Sequence, residues 1–223
     1  MKNIKIISLL LMIFIFFSAC TKTKVEYFED GSVKSSIPYR FGKEHGLCKY
    51  YFINAPHPIK IEMEMKNGQR HGSFVKYYIN GKLETRSTYQ NDELEGLEEN
   101  FHIKGYKIST VNYLHGKKHG LYTLYHPNGE IMEQGSFDND LFDGEWYYYD
   151  ERGVLVGEGS YEKGTGVQMG YNANGNLVRI VHYQDNQKQG EDIELNAEGD
   201  TVKVTVYDHD RIVSVNGETL SDE

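Results

Sequence analysis

A glycine recurs along most of the chain at nearly constant spacing and marks a repeated unit. The intervals between successive glycines are 26, 24, 24, 24, 22 and 24 residues. The glycines are Gly46, Gly72, Gly96, Gly120, Gly144, Gly166 and Gly190. A period of about 20 to 50 residues is typical of repeat arrays, whose units bury apolar surface only by stacking on their neighbours. We therefore expect one extended array without a conventional deep core.

Each unit carries two ring positions separated by a turn. The first ring position, five residues after the glycine, holds Tyr51, Tyr77, Phe101, Tyr125, Tyr149, Tyr171 and Leu195. A turn dipeptide such as Asn80-Gly81 follows, and Asn-Gly between apolar runs favours a tight β-hairpin. The second ring position holds Met65, Tyr89, Tyr113, Phe137, Tyr161, Tyr183 and Tyr207. The intervening segments are too short for typical helices but normal for strands.

These spacings predict an all-β fold. The expected architecture is an elongated single-layer antiparallel sheet of about seven 24-residue β-hairpin repeats. The repeat domain is predicted to span residues 25–215, opening with a half-repeat that turns at Asp30-Gly31. Residues 216–223 are acidic and poor in apolar groups, so they are predicted to form a C-terminal tail.

The pattern of glycine, aromatic residue, tyrosine, Asn-Gly and a further tyrosine resembles the bacterial MORN-repeat variant. The resemblance covers about Val25 to Val215 and is closest between Gly72 and Tyr161. It implies an elongated antiparallel sheet, a MORN-like array, with a binding role. Some bacterial members of that family are antitoxins of toxin and antitoxin pairs, so the resemblance also implies an immunity or antitoxin type of role.

The first 19 residues are predicted to be a lipoprotein signal peptide. Lys2 and Lys5 precede an apolar run from Ile6 to Phe17, whereas a membrane-spanning helix needs about 20 residues. An uncleaved anchor is the alternative. The ending Phe17-Ser18-Ala19-Cys20 resembles the lipobox of bacterial lipoproteins, which implies that Cys20 carries the lipid.

This resemblance implies a cellular address. Residues 20–24 would form a lipidated tether, and two or more acyl chains would hold the protein stably at a membrane. The expected location is the bacterial cell envelope, at the outer membrane or the periplasmic face rather than in the cytoplasm. The membrane is thus an expected partner through the N-terminal lipid.

The charge balance argues against nucleic acid as a partner. The formal net charge is −9, and removal of residues 1–19 takes away two lysines and no acidic residue, which makes it −11. Phosphate backbones are bound by clustered Lys and Arg, and such clusters are small here. The protein portion is also not expected to bind anionic lipid.

Candidate chemical groups have simpler interpretations. His45, His71 and His119 each precede a unit-opening glycine, but two strands per unit would separate them by about 10 Å, too far to share a zinc ion. We predict no metal, no cofactor and no catalytic residue, and hence a protein that is not an enzyme. Cys48 is predicted to pack as a small hydrophobe, with a reactive thiol as the alternative.

The segment Trp146-Tyr147-Tyr148-Tyr149 is the richest aromatic surface in the sequence. Alternate residues of a strand face opposite sides, so one thin layer cannot bury all of these rings together with Tyr122 and Tyr125. They serve either ladder packing or a binding face. Under the second interpretation, the predicted partner-binding residues are Tyr122, Tyr125, Trp146 and Tyr148.

Two functions follow from these features. The first is a non-enzymatic, lipid-anchored repeat scaffold that binds a protein partner, such as a toxin or an envelope protein. The alternative is an envelope glycan-binding module, because Trp146-Tyr147-Tyr148-Tyr149-Asp150 is similar to the aromatic hairpins of choline- and glucan-binding repeats.

Overall fold

The computed structural model describes residues 21–55 and 58–219, and in this part of the chain all regular structure is β. One sheet contains 20 strands. The strands are β1 (Lys22–Tyr27), β2 (Val33–Arg40), β3 (Lys43–Glu44), β4 (Gly46–Tyr51), β5 (Ile59–Lys66), β6 (Gln69–Tyr77), β7 (Leu83–Gln90), β8 (Glu93–Leu94), β9 (Gly96–Phe101), β10 (Lys107–Leu114), β11 (Lys117–Tyr125), β12 (Ile131–Asp138), β13 (Leu141–Tyr149), β14 (Leu155–Glu162), β15 (Thr165–Tyr171), β16 (Leu177–Gln184), β17 (Gln187–Leu195), β18 (Thr201–Asp208), β19 (Arg211–Val215) and β20 (Glu218–Thr219).

The strands lie side by side in chain order, each antiparallel to the next. The short strands β3 and β8 are exceptions, since β3 and β4 both pair with β2 and β8 and β9 both pair with β7. This order confirms the predicted array of β-hairpin repeats. With neighbouring strands ~4.8 Å apart, the sheet extends on the order of 80 Å.

The two-residue turns lie between units rather than at the predicted turn dipeptides such as Asn80-Gly81. In Asn67-Gly68 and Asn139-Asp140 both residues have positive φ, and they join strands directly as two-residue turns do. At Asn80-Gly81 the loop has three residues, with the Gly81 N–H bonded to the Tyr78 carbonyl at 2.9 Å and only the glycine at positive φ. The predicted hairpin turn at this dipeptide is confirmed, but it is a three-residue loop in which the glycine forms a bulge, not a two-residue turn.

A bulge follows most inter-unit turns, and the unit-opening glycine lies in this bulge. In β5–β6 the pairing steps from Met63↔Phe74 to Met65↔Arg70, so β6 contains two extra residues. The same step occurs in β10–β11, β12–β13 and β16–β17. The bulge places a backbone kink at the glycine, and all seven opening glycines except Gly166 have positive φ.

The hairpin β14–β15 lacks this bulge. Its pairing runs without a shift from Gly157↔Gly170 to Glu162↔Thr165. The missing pair of residues accounts for the single 22-residue interval in the sequence.

The inter-unit turns form a row at one end of the strands, and each turn is hydrogen-bonded to the turn one unit earlier. The second residue of each turn donates its N–H to a carbonyl one unit earlier, as in Asp92 to Arg70 at 2.9 Å and Asp140 to Lys118 at 3.0 Å. Asn186 adds side-chain bonds across the short unit. Its amide nitrogen donates to the Asp140 carbonyl at 2.8 Å, and its amide oxygen accepts from the Phe142 N–H at 2.8 Å.

Both ends of the sheet extend beyond the predicted limits. Lys22, predicted as part of the tether, pairs with Tyr39, so the first strand begins three residues before Val25. At the other end β20 pairs with β19 inside the predicted tail. Asn216 holds this turn, because its N–H donates to the Val204 carbonyl and its side-chain oxygen accepts from the Val204 N–H.

Two small clusters of buried apolar side chains take the place of a deep core. One contains Ile37, Cys48 and Met65, and the other is built around Trp146. Cys48 is fully buried, and burial raises the pKa of its thiol to about 11. This confirms its packing role, since a thiol with a raised pKa is a poor nucleophile.

Candidate functional site

The four predicted aromatic site residues do not share one face. Trp146 and Tyr148 are two residues apart in β13 and point to the same side of the sheet. Tyr122 joins them, with its ring centroid 5.7 Å from that of Trp146. Tyr125 lies three residues further along β11 on the opposite side, where the Lys107 ammonium is 5.9 Å from its ring centroid.

Trp146 lies at the centre of an aromatic cluster. The cluster consists of the buried rings of Phe137, Trp146 and Tyr161 and the partly buried rings of Tyr122, Phe142, Tyr148 and Tyr183. The Trp146 side chain is fully buried, and its indole N–H donates to the Ser136 carbonyl at 3.1 Å. It presents no surface to a partner, so any influence of Trp146 on binding must act through the packing of its neighbours.

Glycines in the strands make room for these rings. A Cβ atom on Gly135 would come within 2.1 Å of the Trp146 ring, and one on Gly159 within 2.6 Å of the Tyr161 ring. Each ring thus lies over a position without a side chain in its own or a neighbouring strand. These glycines could have predicted the enclosed rings from the sequence, because a glycine inside a strand often marks close approach of another group.

The bulges add a partial second layer above the second ring position. The side chain that lies over each ring comes 19 residues earlier, from a paired residue just before a bulge. The pairs and their distances to the ring centroid are Arg70 over Tyr89 at 4.2 Å, Lys118 over Phe137 at 4.9 Å, Phe142 with Tyr161 at 5.2 Å and Lys188 over Tyr207 at 4.7 Å. Phe142 also contacts Trp146, with centroids 4.6 Å apart. This layer explains how a single sheet buries a tryptophan.

Glu133 is a site residue that the sequence reasoning missed. It lies between Leu124 and Tyr148 in the register of β11, β12 and β13, on the same face as Trp146. Burial raises the pKa of its carboxyl group, and the nearby Lys118 opposes the shift. Within residues 21–55 and 58–219 its carboxylate has neither a hydrogen bond nor an ion pair.

The tyrosines around Glu133 respond to the same environment. Burial, followed by the Glu133 charge, raises the pKa of Tyr122 to about 12. The pKa of Tyr148 is raised above its ordinary value, first by burial and then by Tyr161 and Glu133. These hydroxyl groups therefore remain neutral around a single partly buried carboxylate. Such a combination of π faces and negative charge is suited to a cation.

The three predicted histidines do not form one site. His119 forms an ion-pair contact with Asp138 at 3.2 Å, while His45 and His71 line a shallow depression with Arg40 and Glu64. In the described part of the chain, no three side chains of the His, Cys, Asp or Glu type are placed to share a metal ion.

The predicted lipid site cannot be compared with the fold. Cys20 and the predicted signal peptide lie outside the described residues. Among residues 21–55 and 58–219 there is no helix with the length and apolar character needed to cross a membrane.

Comparison with known proteins gives a match to the repeat. Residues 70–91, 118–139, 142–163 and 165–185 each match the model of the MORN repeat variant. The matched segments coincide with the hairpins β6–β7, β11–β12, β13–β14 and β15–β16. The hairpin β9–β10 has the same form without a match. The chain is thus a scaffold of β-hairpin repeats, four of which match the MORN repeat variant.

Other comparisons add little. No curated protein matches the sequence. A chain from the crystal structure of TcdB2-TccC3-Cdc42 is similar over 83% of this chain, with 12% identity and a TM-score of 0.19. The present chain spans only 14% of that much longer one.

Proposed function

We propose that the protein is a non-enzymatic, lipid-anchored scaffold that binds a basic protein partner in the cell envelope. The observation that carries the proposal is Glu133, an unpaired carboxylate partly buried among tyrosines on a protein of net charge −9. The docking face is defined by Tyr122, Glu133 and Tyr148, the members of the site that retain accessible surface.

The partner's anchor would be a lysine or arginine side chain. Glu133 offers an acceptor for a charge-assisted hydrogen bond, and the neighbouring rings offer cation–π contact. Among the described residues no cation takes this place, because Lys118, the one whose charge acts on Glu133, has its ammonium over the Phe137 ring at 4.9 Å. The overall negative charge would also speed the approach of a basic partner.

An immunity or antitoxin type of role is the finer form of the proposal. It rests on the family resemblance drawn from the sequence and on a net charge of −9, which would complement a basic toxin. A glycan-binding role receives less support. Trp146-Tyr147-Tyr148-Tyr149 alternates between two faces and its tryptophan is fully buried, so it offers no continuous platform for sugar rings.

The proposal is tested by photocrosslinking in intact cells. A photoreactive phenylalanine analogue at Tyr122 should capture a protein partner, which is identified and purified. Glu133→Gln in the full chain should weaken its binding about tenfold or more, the scale of a lost charged hydrogen bond. Tyr148→Leu should weaken it by a similar factor.

Glu145→Gln is the matched control. Glu145 is an exposed carboxylate one strand away on the opposite face, where it accepts a hydrogen bond from Ser160 at 2.8 Å. Its loss should leave affinity within about twofold. Equal weakening by both Gln variants would reduce the effect to net charge and refute the docking face. If the partner stops growth when expressed alone and this chain restores it, the immunity role is supported.

A further inference from the structure

A polar cavity lies on the same sheet face, where the repeat is shortest. It has a volume of about 180 Å³ and is lined by Gln168, Gly170, Arg179, Val181, Tyr183 and Lys188. The lining residues lie 35 to 55 residues after Glu133 in the chain and include none of the docking-face residues.

Three departures from the repeat create this cavity. The bulge missing from β14–β15 removes the side chain that would lie over Tyr183, as Phe142 lies over Tyr161. Gly170 contributes no side chain. Gln168 stands in the cross-sheet row where β13 has Trp146, so an amide replaces a ring.

An ion pair between the exposed Arg179 and the buried Asp192 forms the polar wall. The Arg179 guanidinium donates through Nε to Asp192 Oδ1 at 2.8 Å and through Nη2 to Oδ2 at 2.6 Å. The Asp192 side chain is only 4% exposed, and Lys188 Nζ approaches its Oδ2 at 3.4 Å. Asp192 stands where Tyr122 and Trp146 stand in their units, so this pair is also a departure from the repeat.

The groups left facing the cavity are donors. A guanidinium has five N–H groups, and Asp192 uses two of those on Arg179. The Tyr183 hydroxyl donates to Gln168 Oε1 at 3.1 Å, which leaves the Gln168 amide N–H groups available. With Lys188, the lining carries two positive charges, and the adjacent Asp192 carries one negative charge. Glu194, opposite Arg179 in the register, is itself paired with Lys203 at 2.8 Å.

We propose that this cavity binds a carboxylate. Its surplus of donors and its one excess positive charge suit an anion, and the fixed guanidinium suits the planar carboxylate group. The group could belong to a small free acid or to an acidic side chain of a bound protein. Both sources present the same chemistry to Arg179, Lys188 and Gln168.

The test measures ligand binding to the full chain in a nonionic detergent by ligand-observed NMR. One probe is acetate, and the other is N-acetyl-glutamate methylamide, which presents the carboxylate as a protein side chain does. Saturable binding of either is expected. Tighter binding of the glutamate derivative assigns the site to a protein-borne carboxylate, and equal or weaker binding assigns it to a small acid.

Two variants locate the binding. Gln168→Glu keeps the acceptor for Tyr183 and replaces the donor with a negative charge, so affinity should fall at least about tenfold. Insertion of Phe-Asp between Thr165 and Gly166 restores the 24-residue interval, places a ring over Tyr183 and should abolish binding.

Gln189→Glu is the control of equal charge. Gln189 lies outside the cavity and accepts the His209 N–H at 2.9 Å, an acceptor role that glutamate retains. Its affinity should match that of the wild type. The proposal is overturned if neither probe binds, if Gln168→Glu and the insertion leave binding intact, or if Gln189→Glu weakens it as much as Gln168→Glu.

Discussion

At the scale of single residues, Glu133 lowers the stability of the fold while offering a charge for binding. A carboxylate placed among Tyr122, Tyr148 and Leu124 loses hydration and gains no partner within the described chain. Leaving such a group unsatisfied costs on the order of 1–3 kcal/mol when it is buried, and less when water still reaches it. A residue that destabilises its own fold in this way indicates a functional site.

Glu133→Gln should stabilise the fold at neutral pH. The raised pKa means that the folded protein holds this proton more tightly than the unfolded chain does. The associated stability is complete below the ordinary value of 4.5 and is lost as pH rises through the raised value. Glutamine cannot ionise, so the variant escapes this loss.

Thermal melts between about pH 4 and pH 7 check this expectation. At pH 7 the variant should melt about 2–4 °C higher, the shift that ~1 kcal/mol gives in a protein of this size. The gain should shrink toward pH 4. A variant that melts lower than the wild type at pH 7 would show that the carboxylate stabilises the sheet.

At the scale of elements, the hairpin and its bulge explain which features the sequence revealed. The glycine interval and the two ring positions specified strands, order and antiparallel pairing, because these depend on local spacing. The bulge was not predicted, since its residues, His119 to Leu121 in β11, resemble ordinary loop residues until their partners are known. The same holds for Glu133, whose burial depends on rings from three neighbouring strands.

The aromatic site shows the same limit. The alternation of Trp146 to Tyr149 correctly divided the rings between two faces. It could not show that Gly135 and Phe142 would enclose Trp146, because that contact requires the register between strands. The short interval before Gly166 was visible in the sequence, but its meaning appeared only from the pairing.

The side chain of Asn186 should contribute more to the stability of the fold than those of other asparagines in the inter-unit turns. Asn186→Ala removes two bonds, to the Asp140 carbonyl and from the Phe142 N–H, which hold the turns on either side of the short unit. At ~1 kcal/mol each, their loss should lower the melting temperature by roughly 4–8 °C.

Asn139→Ala separates this effect from backbone strain. Asn139 also has positive φ, so alanine is strained equally there, but its side chain bonds only to the adjacent Asp138. The Asn186 variant should melt clearly below the Asn139 variant. Equal melting temperatures would mean that the two side-chain bonds contribute nothing.

At the scale of the whole molecule, contacts join strands that are adjacent or one strand apart, and turns that are one or two units apart. Such an array gains stability from units and their interfaces, and its length can change without loss of the fold. The net charge of −9 is likewise a property of the whole surface.

Deletion of Glu95 to Lys118 should therefore leave a folded, shorter sheet. The cut joins Leu94 to His119, so the bulge and the opening glycine are rebuilt from two units and the register is kept. Deletion of residues 95–106 removes β9 alone and reverses the direction of every later strand relative to its turn. Circular dichroism melts should be cooperative only for the first deletion, and similar cooperative melts for both would contradict the register.

Lipid attachment is expected to depend on Cys20. Cells that express the full chain should incorporate labelled fatty acid into it, and Cys20→Ser should abolish the labelling. Cys48→Ser is the control, because that thiol is fully buried in the sheet. Labelling that persists in Cys20→Ser, or a mature protein that begins at another residue, would rule out this anchor.

The side-by-side order of the strands also governs how the protein responds to a pulling force. Strands β1 and β20 lie at opposite edges, so a load applied between the two ends strains the outermost ladder first. Each hairpin that opens releases 24 residues, on the order of 80 Å of slack, before the next unit carries the load. A sheet built in this way yields gradually, lengthening under tension while its remaining units keep their shape.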